Sequence, residues 1–157
     1  MLRVFSGEKP VPIILDTDIG TDVDDAYALM LAARSPQLEL RAVTTVYGKV
    51  AARSAIARKL LLLMKRDEVP VASGQAKPTD AREPFWGGWE GKGLLAEGEM
   101  VSGISTEPAP ELILEMLENS PEPVVIVPVG GLSNVAAVLE RKPAIKSKIR
   151  RLVIMGG

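Results

Sequence analysis

The stretch Ile13-Ile14-Leu15-Asp16-Thr17-Asp18-Ile19-Gly20-Thr21-Asp22-Val23-Asp24-Asp25-Ala26 decides how this chain is read. Residues 13–15 are apolar and read as a buried strand, and residues 26–33 read as the helix that follows. Between them lie five aspartates, Asp16, Asp18, Asp22, Asp24 and Asp25, with no basic residue inside the stretch. Carboxylates this close repel one another, so the folded chain needs a cation, shared protons or full hydration there. A hard divalent ion with oxygen ligands is the simplest answer. The end of a strand entering a helix is where α/β proteins place such sites. The stretch is expected to be a metal site.

Working outward, the helix over 26–33 carries apolar Ala26, Leu29, Met30 and Ala33 at helical spacing and stops before Pro36. Residues 38–46 read as a second strand, rich in β-branched residues at its end. A helix over 51–65 should turn Ile56, Leu60, Leu63 and Met64 to the core, and 69–72 make a short strand. Residues 73–105 break the pattern: glycines punctuate them, and both tryptophans, Trp86 and Trp89, fall there. A loop of this length is usually functional or mobile. Regular structure resumes with a helix over 109–118 and a strand over 124–127. The turn Gly130-Gly131-Leu132-Ser133-Asn134 leads into a helix reaching Glu140, and a strand over 152–155 follows. Alternating strands and helices predict one α/β domain over 1–157, a Rossmann-like parallel sheet with helices on both faces.

Composition narrows the chemistry. The chain has 157 residues, 46% hydrophobic and 25% charged, enough for a domain with a real core. A net charge of -1 gives no general pull toward nucleic acid or a membrane surface. With no cysteine and no histidine, Ser-His and Cys-His nucleophile systems are excluded, leaving carboxylates, lysine, tyrosine and hydroxyls for proton transfer. The first twelve residues lack the apolar run of a signal peptide, and the expected location is cytoplasmic.

Three other readings of the aspartates compete with a catalytic metal site. An EF-hand loop started at Asp16 would need Gly sixth and Glu twelfth, where Thr21 and Tyr27 stand. A haloacid-dehalogenase-like, Mg²⁺-dependent phosphatase would use Asp16 as nucleophile in a D-x-D-x-[T/V] pattern, but Gly20 stands where Thr or Val belongs, and the Asp24-Asp25 pair has no role. Helix capping would account for Asp22 or Asp24 alone, not for five carboxylates in one turn.

The segment ILDTDIGTDVDDAYAL resembles the N-terminal signature of the inosine-uridine-preferring nucleoside hydrolases, and AVTTVYG at 42–48, VPVGGLSNVA at 127–136 and LVIMGG at 152–157 resemble further family segments in the right order. The resemblance implies a nucleoside hydrolase-like fold holding Ca²⁺ at the carboxyl edge of the sheet, and hydrolysis of the N-glycosidic bond of a ribonucleoside substrate to ribose and free base. By motif match, Asp18 would ligate the ion and act as the catalytic base. Asp25 would be a bidentate ligand, the main-chain carbonyl of Val129 another, and Asp16 a supporting residue beside the ion. Asp24 would bind ribose hydroxyls. Thr17 and Thr21 are assigned only turn or cap roles.

The chain also departs from the family pattern. Lys49 stands near the expected substrate position, where Asn or Asp is usual. The segment FWGGWEGKG at 85–93 resembles a glycine-rich flap that often carries a histidine, and here has none; Trp86 or Trp89 would stack on a base or anchor the loop. Family chains continue into a second half carrying a further metal-ligating aspartate, ribose-binding residues and often a histidine acid. The chain is therefore expected to be apparently truncated, the N-terminal half of such a fold, and to form a homo-oligomer or pair with a complementing C-terminal half. A non-catalytic remnant binding Ca²⁺ or ribose is the alternative function.

Overall fold

The structure is a computed structural model that describes residues 9–77 and 87–156. The lead-in before Lys9, Trp86 and part of the 73–105 loop fall outside these residues.

Strand β1, Val11–Thr17, is central in a parallel sheet and pairs with β2, Leu38–Thr45, on one side and β4, Val124–Pro128, on the other. Strand β3, Val71–Ser73, lies outside β2, and β5, Ile149–Leu152, lies outside β4, giving the order β3-β2-β1-β4-β5. Helices α1, Asp24–Arg34, and α2, Val50–Leu63, form the outward connections of the first half. Helices α3, Ala109–Asn119, and α4, Ser133–Arg141, serve the second, and a 3-10 helix, Pro143–Lys148, leads into β5. The strand order reverses between β1 and β4, so the crevice outside their carboxyl ends is the place where such sheets bind ligands.

Alternation along β1 divides the core in two. Ile13 and Leu15 pack with Leu29, Ala33, Val43, Ile56 and Leu61 on one face. Ile14 packs with Ala42, Ile113, Leu117, Ile126 and Val138 on the other. Each large side chain among these, fully withdrawn from water, contributes about 1.5–3 kcal/mol. The alternation continues past the apolar run, so Asp16 follows Ile14 toward α4 and Thr17 follows Leu15 toward α1. Pro12 sits in the strand without loss because β1 pairs with β4 only from Ile13 onward.

Several sequence expectations are corrected. Strand β1 runs on through Asp16 and Thr17, which are wholly buried and paired with Thr44 and Thr45 of β2. Met30 is 45% exposed and Ala32 takes its place in the core, because the apolar stripe of α1 runs through Leu29, Ala32 and Ala33. In α2 the four consecutive leucines leave the phase of the helix undetermined; Leu61 is buried and Leu63 is exposed. The last strand is Ile149–Leu152 rather than 152–155. The chain beyond it still donates from Val153 N–H to Ile126 O and from Met155 N–H to Pro128 O, so it stays extended along β4. No helix among the described residues is long and apolar enough to cross a membrane.

Candidate active site

The aspartates occupy three different environments. Asp16 is fully buried, and its Oδ1 accepts from Thr44 Oγ1 at 2.7 Å and from Asn134 Nδ2 at 2.8 Å. Its Oδ2 is buried with no partner. Burial pushes its carboxyl from 3.8 up to about 7, against the lowering effect of those two hydrogen bonds, with the Asp18 charge adding to the rise. Asp25, in the first turn of α1, is buried and accepts a 2.5 Å hydrogen bond from Thr17 Oγ1. Burial raises it to about 6, Thr17 opposes the rise, and the charges of Asp18 and Asp24 add to it. Asp18 is half-buried; desolvation raises its carboxyl, Arg53 lowers it and Asp24 raises it.

Asp24 opens α1, is exposed, and acts on both Asp18 and Asp25 through its charge. Asp22 is exposed, and its Oδ1 accepts from Val23 N–H at 2.6 Å, a local turn contact. From the other side of the switch point, Val129 N–H donates to Asp16 O at 2.8 Å. A Cβ on Gly130 would stand 2.9 Å from Asp18 Oδ1, so only glycine lets the two strand ends close up here. The structure thus brings Asp16, Asp18, Asp24, Asp25 and Val129 together at the carboxyl ends of β1 and β4.

Lys49 and Trp89 border the turn without joining these carboxylates. Lys49 is exposed and stands 3.8 Å from Glu90. Trp89 is 45% exposed, and its indole Nε1–H donates to Thr21 O at 2.9 Å, which ties the glycine-rich segment to the acidic turn. A cleft of about 810 Å³ lies between α2 and this segment, lined by Ala51, Ala52, Ala55, Trp89 and Leu95 among others. None of the turn's aspartates lines it.

Sequence reasoning missed the residues that hold these carboxylates. Thr17 receives Ile19 N–H at 3.1 Å while donating to Asp25, so it is more than a turn residue. Arg53, wholly buried on α2, donates from Nη1 to Asp18 O, to Ile19 O at 2.9 Å and to Thr21 Oγ1 at 2.9 Å. It supplies the positive charge that the stretch itself lacks. Asn134 also donates to Thr45 O at 3.0 Å and accepts from Gln75 N–H at 2.9 Å, joining β1, β2 and the end of β3. The Asn134→Ala variant leaves several buried groups unpaired and is expected to lose about 2–4 kcal/mol in chemical denaturation. A loss below about 0.5 kcal/mol would show that this network carries no stability.

Comparison with known proteins bears on the fold and the family. A family model described as inosine-uridine preferring nucleoside hydrolase matches residues 13–157. The chain belongs to that family. Among curated members, the pyrimidine-specific ribonucleoside hydrolase RihA of Salmonella paratyphi B is 38% identical over 153 residues, covering 94% of this chain and 48% of its own length. The probable uridine nucleosidase 1 of Oryza sativa subsp. japonica is 34% identical, covering 92% and 46%. The solved purine-preferring ribonucleoside hydrolase from Gardnerella vaginalis superposes with a TM-score of 0.80 at 29% identity, over 93% of this chain and 48% of that one. The chain spans about half the length of the curated relatives it matches.

Family membership removes the phosphatase reading, and the geometry explains why it fails. A nucleophilic aspartate must meet its substrate, but Asp16 is 0% exposed and its Oδ1 is engaged by Thr44 and Asn134.

The donor set at the turn is carboxylate and carbonyl oxygen, the chemistry of a hard cation. Among the described residues no three His, Cys, Asp or Glu side chains are grouped as a metal cage. The fit rests instead on Asp16 Oδ2, buried without a partner, and on Asp16 and Asp25, both held in protonatable form by desolvation that a cation would offset.

Proposed function

We propose that this chain carries the metal- and ribose-binding part of a Ca²⁺-dependent ribonucleoside N-glycosidase. The observation that supports it most is the unpartnered, buried Asp16 Oδ2, with the Asp18 charge acting on the same carboxyl, at the switch point of a nucleoside hydrolase fold. Asp16, Asp18, Asp25 and the Val129 carbonyl would hold the ion, whose bound form would acidify and orient a water. Fewer protein oxygens are gathered here than the six to eight that Ca²⁺ takes, so solvent and the ribose diol would supply part of the shell.

Asp18 is the proton acceptor in this reading. It is half-buried, so solvent reaches it, and its raised carboxyl accepts a proton more readily than an ordinary aspartate. A water oxygen would bond to the anomeric carbon as the bond from that carbon to the base nitrogen breaks through an oxocarbenium-like state, and the electron pair of that bond would leave with the base, which takes up a proton from solvent. The water's proton passes to Asp18. Asp24, exposed at the N-terminus of α1, would accept hydrogen bonds from ribose hydroxyls. Lys49 and Trp89, bordering the turn through Glu90 and Thr21, would contact the substrate's outer side.

Calorimetric titration of the chelator-stripped chain with Ca²⁺, with and without ribose, tests this. Saturable binding that ribose strengthens by about tenfold is the expected result. No Ca²⁺ binding in either titration sinks the metal reading, and Ca²⁺ binding indifferent to ribose favours a cation-binding remnant.

Association with a second copy or a complementing C-terminal half belongs to the same proposal. It is supported by the edge beyond β5, where Val153, Ile154 and Met155 are 46%, 49% and 55% exposed. Sedimentation is expected to show a species larger than 16.8 kDa at micromolar concentration, and a strict monomer refutes self-association.

A further inference from the structure

Arg53 is the only lysine or arginine that is fully buried among the described residues, and a buried guanidinium persists only where its donors and charge are answered. Three of its four hydrogen bonds among the described residues go to main-chain carbonyls. Nε donates to Tyr47 O at 2.7 Å, and Nη1 donates to Asp18 O, Ile19 O and Thr21 Oγ1. The carbonyls of Asp18 and Ile19 both belong to the acidic turn. Nη2 makes no hydrogen bond and stands 3.6 Å from Glu90 Oε1.

Glu90 comes from the glycine-rich segment, and its side chain is 3% exposed. Its Oε2 accepts from Gly88 N–H at 2.8 Å. Burial pushes its carboxyl up, but its own and the Gly88 N–H groups, together with Arg53 and Lys49, outweigh this and hold it below the usual glutamate range. One residue earlier, Trp89 fastens to Thr21 O. Gly20, at φ +112°, lets the turn pack on α2, since a Cβ there would stand 2.5 Å from Ile56 Cδ1, and Glu90 Cβ lies in ordinary contact distance on the same side.

We propose that Arg53 is a positioning residue that sets the orientation of Asp18 by gripping the main chain of the turn, and that Glu90 and Trp89 strap the guanidinium and turn in place. Docking of the glycine-rich segment is then coupled to the turn's affinity for a cation. This second part rests on the metal reading given above; the first does not. The sign of the effect separates positioning from simple electrostatics. A guanidinium beside a cation site repels the cation, so Coulomb's law alone says that neutralising Arg53 tightens Ca²⁺ binding. Positioning says that it weakens it.

The test uses the 157-residue chain and the variants Glu90→Gln, Trp89→Phe and Arg53→Gln. Hydrogen exchange at the Ile19 amide in metal-free protein reads the turn, since that N–H is bonded to Thr17 Oγ1 within it. Glu90→Gln and Trp89→Phe are each expected to speed Ile19 exchange by about tenfold while leaving the Leu15 amide in β1 unchanged. Unchanged Ile19 exchange in Glu90→Gln overturns the proposal, and this variant decides the matter if Arg53→Gln does not fold. Where Arg53→Gln folds, its Ca²⁺ affinity is expected to fall by about tenfold despite the lost positive charge, and a tighter Kd overturns positioning. A wild-type chain that binds no Ca²⁺ overturns the coupling and the metal reading together, while Ile19 exchange still judges the grip of Arg53.

Discussion

In the presence of a chelator, the melting temperature of this chain is expected to fall by at least about 5 °C between about pH 5.5 and about pH 8, and saturating Ca²⁺ is expected to recover it at the upper pH only. Burial has raised the Asp16 carboxyl to about 7 and that of Asp25 to about 6, both from 3.8. The folded chain therefore holds protons that the unfolded chain releases from about pH 4 upward. Where the folded state binds more protons, stability falls as pH rises, so these groups contribute no penalty below about pH 4 and their full penalty above about pH 7. For Asp16 alone the difference amounts to at most roughly 4 kcal/mol.

The window is clean. There is no histidine in the chain, and Glu68, Glu90 and Glu99 are shifted downward, so their opposite effect is confined to acid below the window. Ca²⁺ takes only the deprotonated carboxylates, so its stabilisation grows as the protons leave and reaches about 2.7 kcal/mol at a hundredfold excess over Kd. A melting temperature that is flat or rises with pH in chelator sinks the picture of strained, cation-seeking carboxylates.

The sheet was largely legible because its signals are local. Apolar runs bounded by prolines and glycines, alternating with amphipathic stretches, point to one architecture, and β1, β2 and β4 lie close to where their residues predict. The errors are also physical. The four leucines in α2 satisfy any helical phase, so periodicity could not choose Leu61 over Leu63 for the core. Asp16 and Thr17 do not look like strand residues, because what makes them strand is pairing with Thr44 and Thr45, partners far along the chain. The same distance hid most of the site's support. The acidic residues announce themselves by spacing, and Thr17 is near enough to have been suspected. Arg53, Asn134 and Glu90 reach the turn only through tertiary contacts, and a lone buried arginine in a helix carries no local mark. The one available hint was the uncompensated charge itself: five aspartates without a neighbour of opposite sign require one from elsewhere in the chain.

Asp25→Asn is expected to abolish measurable Ca²⁺ binding, a loss of at least about a hundredfold, and at the same time to leave the metal-free chain more stable above about pH 7 by roughly 1 kcal/mol, or 2–4 °C in melting temperature. The two effects share one cause. The carboxylate of Asp25 is buried beside the charges of Asp18 and Asp24 and carries a desolvation penalty when ionised. Asparagine removes the charge while its carbonyl still accepts from Thr17 Oγ1, so the one direct hydrogen bond the structure shows at this group is kept. A residue retained for packing would behave oppositely, since replacing it would lower stability and leave cation affinity nearly unchanged. Calorimetric titration and thermal melts of the same variant therefore separate the roles. Loss of Ca²⁺ binding with a raised melting temperature identifies Asp25 as a ligand kept against its own folding cost. Lowered stability with unaltered Ca²⁺ affinity removes it from the ligand set, leaving Asp16, Asp18 and the Val129 carbonyl to account for any ion bound.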